Sequence, residues 1–209
     1  MNKKIIAIDP KNPDPALILK TAKIIKDGGI IAFPSDTCYG LAANPFDSEA
    51  VNRLFEIKGR NPNKGLILLI SSIDMLERLT KNLSPLSESI MQEFWPGPLT
   101  LIFEKKDHLL DQLTGTQQGI GIRYAKAKIP IQLVKKIGLP ITATSANKSG
   151  ETTAQSAEEI NESIGKNLDL ILDAGHCNGR PSTILDTTVI PPKILREGIL
   201  SKKLMGKLL

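Results

Sequence analysis

The sequence predicts an α/β fold, a single domain built on an open, twisted, mixed sheet flanked by helices. Three observations lead there. Segments with helical spacing of apolar residues alternate with short unbroken apolar runs along all 209 residues. No internal repeat, low-complexity tract or linker-like stretch interrupts them. The turn signals are spread too irregularly for a regular doubly wound order, which points to mixed pairing. The domain is expected to take in residues 1–209, with its core at about residues 14–199.

The elements follow in order. Asp14-Pro15 supplies an N-cap and a first-turn proline, and Ile18, Ala22 and Ile25 recur on one face until Gly28-Gly29 stops the helix. Ile30 to Phe33 reads as a buried strand. Ser48 is the expected cap of a second helix carrying Val51, Leu54, Phe55 and Lys58, ended by Gly59. Leu66 to Ile70 is a further interior strand. Ser84-Pro85 opens a helix that reaches Phe94, where Pro96-Gly97-Pro98 breaks the pattern. Leu99 to Phe103 and Ile120 to Arg123 are extended. Pro130 opens a helix through Ile137, and Ile141 to Ser145 follows as one strand. Ser156 and Glu159 form a capping box. Leu170 to Asp173, Thr183 to Asp186 and Ile194 to Arg196 are short strands, and Lys202 to Leu208 is a terminal helix.

Composition excludes several classes. With 41% hydrophobic and 23% charged residues, the chain is neither disordered, collagen-like nor a coiled coil. No apolar run approaches the roughly 18 to 20 residues that span a bilayer. The apolar stretch after Lys3-Lys4 is cut by Asp9-Pro10, short of the about 7 to 15 residues of a signal peptide. The expected location is cytoplasmic, with no membrane partner. Cys38 and Cys177 match no zinc spacing and read as small buried hydrophobes ahead of disulfide partners or ligands. His108 and His176 are the only histidines, so multi-histidine metal sites are excluded and no protein-borne metal site is expected. A net charge of +5 leans toward polyanionic partners, although the excess is modest for this length.

Four places could carry chemistry. The segment Pro34-Ser35-Asp36-Thr37-Cys38-Tyr39-Gly40-Leu41 reads as a loop leaving a buried strand, where small hydroxyls can meet a polar ligand. By itself it reads first as a turn closed by local Ser and Asp hydrogen bonds. In Lys58-Gly59-Arg60-Asn61-Pro62-Asn63-Lys64-Gly65, three cations lie among glycines and a proline rather than at helical spacing. A shaped loop of that kind could hold a triphosphate, and a solvated basic segment accounts for it equally well. It is not a Walker loop, because Gly-x-x-x-x-Gly-Lys-Ser/Thr occurs nowhere. Thr144-Ser145-Ala146-Asn147-Lys148-Ser149-Gly150 looks like an anion-contacting turn and lacks the Gly-x-Ser-x-Gly of a nucleophile elbow. Gly119-x-Gly121 lacks the third glycine of a dinucleotide site. Arg123, Arg180 and Arg196 end or precede strands, and several such cations beside a basic loop suit a multiply anionic ligand.

These residues resemble the L-threonylcarbamoyladenylate synthases, the YrdC-like or TsaC family. The matching stretches are Phe33-Pro-Ser-Asp-Thr-Cys-Tyr-Gly-Leu41, Lys58-Gly-Arg60 with Lys64-Gly-Leu66, Trp95-Pro-Gly-Pro-Leu-Thr100, Ile122-Arg123, Thr144-Ser-Ala-Asn147, Pro181-Ser-Thr-Ile-Leu-Asp186 and Leu195-Arg-Glu-Gly198, in family order. The resemblance implies an open α/β fold with a basic concave face. It also implies synthesis of threonylcarbamoyl-AMP from L-threonine, bicarbonate and ATP with release of pyrophosphate. A downstream threonylcarbamoyl transferase complex would then modify tRNA. Carried onto this chain, Lys58, Arg60, Ser145 and Asn147 would be the catalytic set. Lys58, Arg60, Lys64, Ser145, Thr153 and Arg196 would bind ATP, and Thr37, Arg123, Ala143 (by its backbone) and Ser182 would bind threonine. Magnesium would ride with the triphosphate. Because the sequence ends soon after the last motif, the expected form is the short one, without the extra C-terminal domain of longer members.

The chain departs from the family pattern at four positions. Ser35 replaces a threonine and keeps its hydroxyl, while Asn61 replaces a proline. Leu69 stands where some members have a threonine-contacting histidine, and Gly119 where some have a nucleotide-contacting threonine. Two other readings stay in play: a module that binds double-stranded RNA, or tRNA, through a basic concave face, and a paralogue with another small substrate.

Overall fold

The computed structural model describes residues 4–61, 63–115, 119–177, 179–201 and 206. Its elements begin with β1 (Ile5–Ala7), α1 (Pro15–Lys26), β2 (Ile31–Phe33), β3 (Gly40–Ala42), α2 (Ser48–Lys58) and β4 (Ile67–Leu69). Next come α3 (Ile73–Leu79), α4 (Pro85–Phe94), β5 (Leu99–Glu104), β6 (Gly119–Arg123) and α5 (Lys128–Ile137). The chain continues with β7 (Ile141–Thr142), β8 (Thr144–Ser145), α6 (Ala157–Ser163), β9 (Leu170–Asp173), β10 (Thr183–Asp186) and β11 (Lys193–Arg196).

The α/β class with mixed pairing holds, and the strands sort into two sheets. One is five-stranded, in the order β1-β9-β2-β3-β8, and the other six-stranded, in the order β11-β10-β5-β6-β4-β7. In the first, β9 lies parallel to both β1 and β2, while β3 returns antiparallel on β2. The second mixes parallel β10–β5 and β4–β6 pairs with an antiparallel β5–β6 pair.

The sheets meet at Ala143. The run expected as one strand from Ile141 to Ser145 divides there, β7 pairing with β4 and β8 with β3. The buried Thr142 hydroxyl fastens the crossing, accepting from Ala43 N–H at 2.8 Å and donating to the Leu41 carbonyl at 3.2 Å. The run Ile-Thr-Ala-Thr-Ser has no glycine or proline to signal that its partner changes, so the sequence predicts a continuous strand.

Other differences are local. Asp47, not Ser48, caps α2, because its Oδ1 accepts from both Glu49 N–H and Ala50 N–H. α5 begins at Lys128, with Pro130 inside the first turn, where its missing N–H costs nothing. Gly40 and Leu41, assigned to the loop, belong to β3. Ser156 accepts from Glu159 N–H, but the Glu159 carboxylate accepts from Gln155 N–H, one residue before the cap. β1 and α3 are too short to stand out by periodicity. The terminal helix expected from Lys202 to Leu208 falls, Gly206 apart, outside the described residues.

Two apolar cores result. β2 is buried on both faces: Ala32 joins Tyr39 and Leu41 in the first core, and Ile31 and Phe33 join the second. There they meet Ile18, Ala22 and Ile25 of α1 and Leu133, Val134 and Ile137 of α5. The six-stranded sheet turns Leu99, Leu101, Phe103, Ile120 and Ile122 into the first core. Strand alternation then sends Ile102, Gly119, Gly121 and Arg123 to its other face, which is open.

The segment after β11 is tied down by one side chain. Thr183 is fully buried, and its hydroxyl donates to the Leu200 carbonyl at 2.6 Å while accepting from Gly198 and Leu200 N–H groups. Thr183→Val keeps the shape and orphans these groups. Denaturant unfolding should show a loss of about 1 to 3 kcal/mol, and an unchanged midpoint would refute the anchoring.

Candidate active site

The open face of the six-stranded sheet floors a cleft of about 500 Å³. Ile67, Leu69, Ile102 and Ile184 make the floor apolar, and β6 contributes Gly119 and Gly121. A Cβ at Gly119 would lie 2.3 Å from Ile102 Cγ2, so an isoleucine side chain occupies the space a side chain there would need. All the expected site residues except Lys58 line this cleft: Thr37, Arg60, Lys64, Arg123, Ala143, Ser145, Asn147, Thr153, Ser182 and Arg196. They come from six separate stretches of sequence. Arg180 is exposed and does not line the cleft.

The arginines are held by main-chain oxygens. Arg60 donates from Nε to the Lys64 carbonyl (3.0 Å) and from Nη2 to the Gly65 carbonyl (2.6 Å), curling its own loop around the guanidinium. Its Nη1 reaches the Thr144 hydroxyl at 3.4 Å. Arg196 donates from Nε and Nη2 to the Ser182 carbonyl, at 3.1 and 2.9 Å, and from Nη2 to the Ser182 hydroxyl. Arg123 donates from Nε to the Gly97 carbonyl at 3.0 Å. That carbonyl is presented by the Trp95-Pro-Gly-Pro turn, which Trp95 braces by donating Nε1–H to the Leu99 carbonyl at 2.7 Å. Gly97 is required in the turn, since a Cβ there would sit 2.3 Å from the Phe94 carbonyl oxygen.

Two residues differ from expectation. Lys58 does not ride on a loop facing the ligand. It is the last residue of α2, 2% exposed, and its ammonium lies beneath the Ser145–Asn147 turn. It donates to the Ser145 carbonyl (2.5 Å), the Asn147 carbonyl (2.7 Å) and Asn147 Oδ1 (3.4 Å). Its own carbonyl accepts from Ser149 N–H at 2.8 Å. Lys58 therefore shapes the turn that presents Ser145 and Asn147. Gly59, left-handed at φ 53°, ends α2 directly after it, and this is what turns Arg60 away toward the cleft.

Arg123 is likewise not an open fork for a carboxylate. Nη1 donates to the Thr37 hydroxyl at 2.8 Å, and Nη2 lies 2.8 Å from Asp36 Oδ2 as an ion pair. Nη2 and Asp36 Oδ1 are themselves buried and make no hydrogen bond among the described residues. Both terminal nitrogens are thus turned onto the chain's own groups, Thr37 and Asp36. Asp36, Gly97, Thr100 and Thr144 are the contributors that residue-by-residue reading misses. Thr100 shares a 2.9 Å hydrogen bond with the Ser182 hydroxyl, and its signals are its place at the end of the Trp95–Thr100 stretch and on the open side of a strand. Cys38 is buried as expected, but Cys177 is only partly so, with Sγ 3.5 Å from the Thr37 carbonyl; neither is in a disulfide.

The cleft is electropositive, with Asp36 offsetting only Arg123. Burial, then the charge of Arg196, pushes the Arg60 pKa down. Arg196 counts as exposed overall, yet burial of its guanidinium end also pushes its pKa down. Glu151 is the one carboxylate among the lining residues.

Residues 23–198 match the Sua5/YciO/YrdC family model, described as telomere recombination. The chain belongs to the Sua5/YciO/YrdC family. A threonylcarbamoyl-AMP synthase of Pyrococcus abyssi is 38% identical over 178 residues, which is 85% of this chain and 52% of that protein. One of Bacillus subtilis is 35% identical over 188 residues, 89% of this chain and 54% of the relative. The chain thus spans about half the length of these curated relatives. The crystal structure of P. abyssi Sua5 complexed with L-threonine superimposes with a TM-score of 0.94 at 35% identity, covering 98% of this chain and 60% of that one.

In this Sua5/YciO/YrdC member, burial, aided by the nearby Arg60 charge, lowers the Lys58 pKa to about 8 from 10.5. Between those values the unfolded chain binds more protons than the folded one, so Lys58 adds a term that stabilises the fold as pH rises. Tyr39, pushed up to about 12 from 10 by burial, acts the opposite way above pH 10. The difference in unfolding free energy between the parent and Lys58→Met should therefore shift in the parent's favour from pH 8 to 10. A flat difference would place the ammonium in solvent.

Proposed function

We propose that this chain makes threonylcarbamoyl-AMP from L-threonine, bicarbonate and ATP, releasing pyrophosphate, and that a separate transferase complex passes the threonylcarbamoyl group to a tRNA adenosine. One observation carries the reading: Arg60, Lys64, Arg123 and Arg196 converge on a cleft lined by a single carboxylate. All three substrates carry negative charge, so gathering them requires fixed cations. The names of the relatives and the likeness to a threonine-bound homologue support the same reading.

Arg60, Lys64 and Arg196 would hold the triphosphate, with Ser145, Asn147 and Thr153 as neutral partners. Threonine would lie in the corner between Thr37 and Ser182, near the Arg123 charge. The Ala143 N–H is already used by the Ile67 carbonyl at 2.7 Å, so Ala143 would offer its carbonyl. The threonine amine attacks bicarbonate, forming an N–C bond and losing water to give a carbamate. A carbamate oxygen then bonds to the α-phosphorus as the bond to pyrophosphate breaks. No protein nucleophile is needed, and the side chains act by positioning and charge. A magnesium ion would fit on the phosphates themselves, since the described residues contain no cluster of three or more His, Cys, Asp or Glu. Bound there, it would supply further neutralisation of phosphate charge. Among the described residues no helix is long and apolar enough to cross a membrane, and we place the reaction in the cytoplasm, where tRNA is modified.

The test is pyrophosphate release with threonine and bicarbonate omitted one at a time. Arg196→Ala should lower kcat/KM by about a hundredfold or more, as removal of a charge-assisted transition-state contact does, while melting like the parent. Valine, without the hydroxyl that Thr37 and Ser182 would pair, should be a far poorer substrate than serine. Release that ignores threonine, or equal use of valine and threonine, would sink the assignment.

A further inference from the structure

Parallel neighbours in a sheet send their outgoing segments to the same end. β2 and β9 are such a pair, with Ile31 opposite Leu170 and Ala32 opposite Ile171. The segments after Phe33 and after Asp173 therefore leave side by side. Tyr39 ties them together. Its ring is fully buried, and its hydroxyl donates to the Gly175 carbonyl at 2.7 Å while accepting from Ala174 N–H at 3.1 Å. Each segment carries one of the chain's two cysteines, Cys38 and Cys177. The reaction proposed for the cleft uses neither thiol.

The two thiols meet at one peptide unit. Cys177 Sγ donates to the Thr37 carbonyl at 3.5 Å and lies 4.0 Å from the Ser35 carbonyl. The Thr37 carbonyl carbon is bonded to the Cys38 nitrogen, so this sulfur touches the peptide that leads into Cys38. Cys38 lines the cleft and is 9% exposed, whereas Cys177 is partly exposed and outside the cleft lining. Burial pushes the Cys38 thiol up, and the Thr37 hydroxyl and the Arg123 and Arg196 charges pull it only partly back. Ser35 makes the loop one piece. Its Oγ accepts from Thr37 N–H (3.2 Å) and Cys38 N–H (3.3 Å) and donates to the Cys38 carbonyl at 2.7 Å. Thr37 in turn accepts from Arg123 Nη1, so a movement of Cys38 is passed to the corner where those two meet.

We propose that Cys38 and Cys177 are an oxidation site: a peroxide joins them as a disulfide, and the bond withdraws Thr37 from the threonine corner. Cys177, the more accessible thiol, reacts first. Its sulfur attacks one peroxide oxygen, the O–O bond breaks, and the other oxygen leaves as water with the thiol proton, so a sulfenic acid remains. The Cys38 sulfur then attacks the Cys177 sulfur. The S–S bond forms as the sulfenic hydroxyl leaves as water with the Cys38 proton. The two thiols lose two electrons, and the peroxide is reduced to two waters. A disulfide has no S–H, so the Cys177 contacts to the Thr37 and Ser35 carbonyls are lost. A sulfur–sulfur bond of about 2.05 Å also draws Cys38 toward Cys177 and takes its loop along. Small thiols reverse the step by exchange. The bond itself is independent of the chemistry in the cleft, and its effect on threonine rests on the function proposed above.

The experiment treats the reduced full chain with hydrogen peroxide and reads intact mass, peptide map and pyrophosphate release against threonine concentration. The expected product is lighter by two hydrogens and yields a linked peptide pair carrying Cys38 and Cys177. Its KM for threonine should rise by about tenfold or more, as for one lost hydrogen bond to a charged group, while KM for ATP changes little. Dithiothreitol should restore the mass and the kinetics. Cys177→Ala leaves the cleft lining intact, so it should turn over like the parent and keep its threonine KM after peroxide. The peptide map decides the bond whatever the cleft catalyses, so failure of the proposed reaction is not mistaken for failure of the disulfide. The proposal is overturned if the sulfurs gain oxygen without linking, or if the linked protein uses threonine as the reduced one does. An equal rise in threonine KM for peroxide-treated Cys177→Ala overturns it as well.

Discussion

Like charges must be kept together in this structure without being neutralised. Arg60, Arg123 and Arg196 share one cleft, and Lys58 lies just beneath it. The chain holds them mainly with carbonyl oxygens: Lys64 and Gly65 for Arg60, Gly97 for Arg123, Ser182 for Arg196, Ser145 and Asn147 for Lys58. A carbonyl fixes the direction of a cation and leaves its charge unspent, whereas a carboxylate would cancel it. Carbonyls that point sideways from the chain are found in turns. The glycine- and proline-rich motifs scattered along the sequence therefore gather around the cleft as its scaffold. Asp36 is the exception, and it sits on Arg123, the cation nearest the proposed threonine corner.

This constraint explains why the sheets are divided. If the crossing at Ala143 were absent, the Ser145–Asn147 turn would not lie over the end of α2, and Lys58 would have no acceptors to reach. The same crossing places Thr144 against Arg60. Packing supplies the rigidity: β2 is buried on both faces, and β5 and β6 of the six-stranded sheet are backed by core on one side only. The bare side carries the cleft.

Much of this is legible in the sequence, and the gaps have physical causes. α1 and α4 are readable because Asp14-Pro15 and Ser84-Pro85 combine a cap with a first-turn proline. The site residues are readable as a set because small polar and cationic residues cluster in breaker-rich segments. Their individual roles are less so. Lys58 looks like a ligand-facing cation, but helical phase puts it on the buried side with Val51, Leu54 and Phe55. Arg123 looks like a free fork, yet two of its nitrogens are taken by Gly97 and Thr37, residues distant in sequence. Hydrogen-bond partners of that kind are set by tertiary contact, which no local pattern encodes.

The central claim is that the cleft joins three anionic reactants into one adenylate. The most direct measurement is mass spectrometry of the nucleotide formed from ATP, threonine and isotopically labelled bicarbonate. Threonylcarbamoyl-AMP carrying the label in its carbamoyl carbon, formed in step with pyrophosphate, is the predicted result. Formation of ADP, of threonyl-AMP, or of AMP without any labelled carbamoyl product would contradict it.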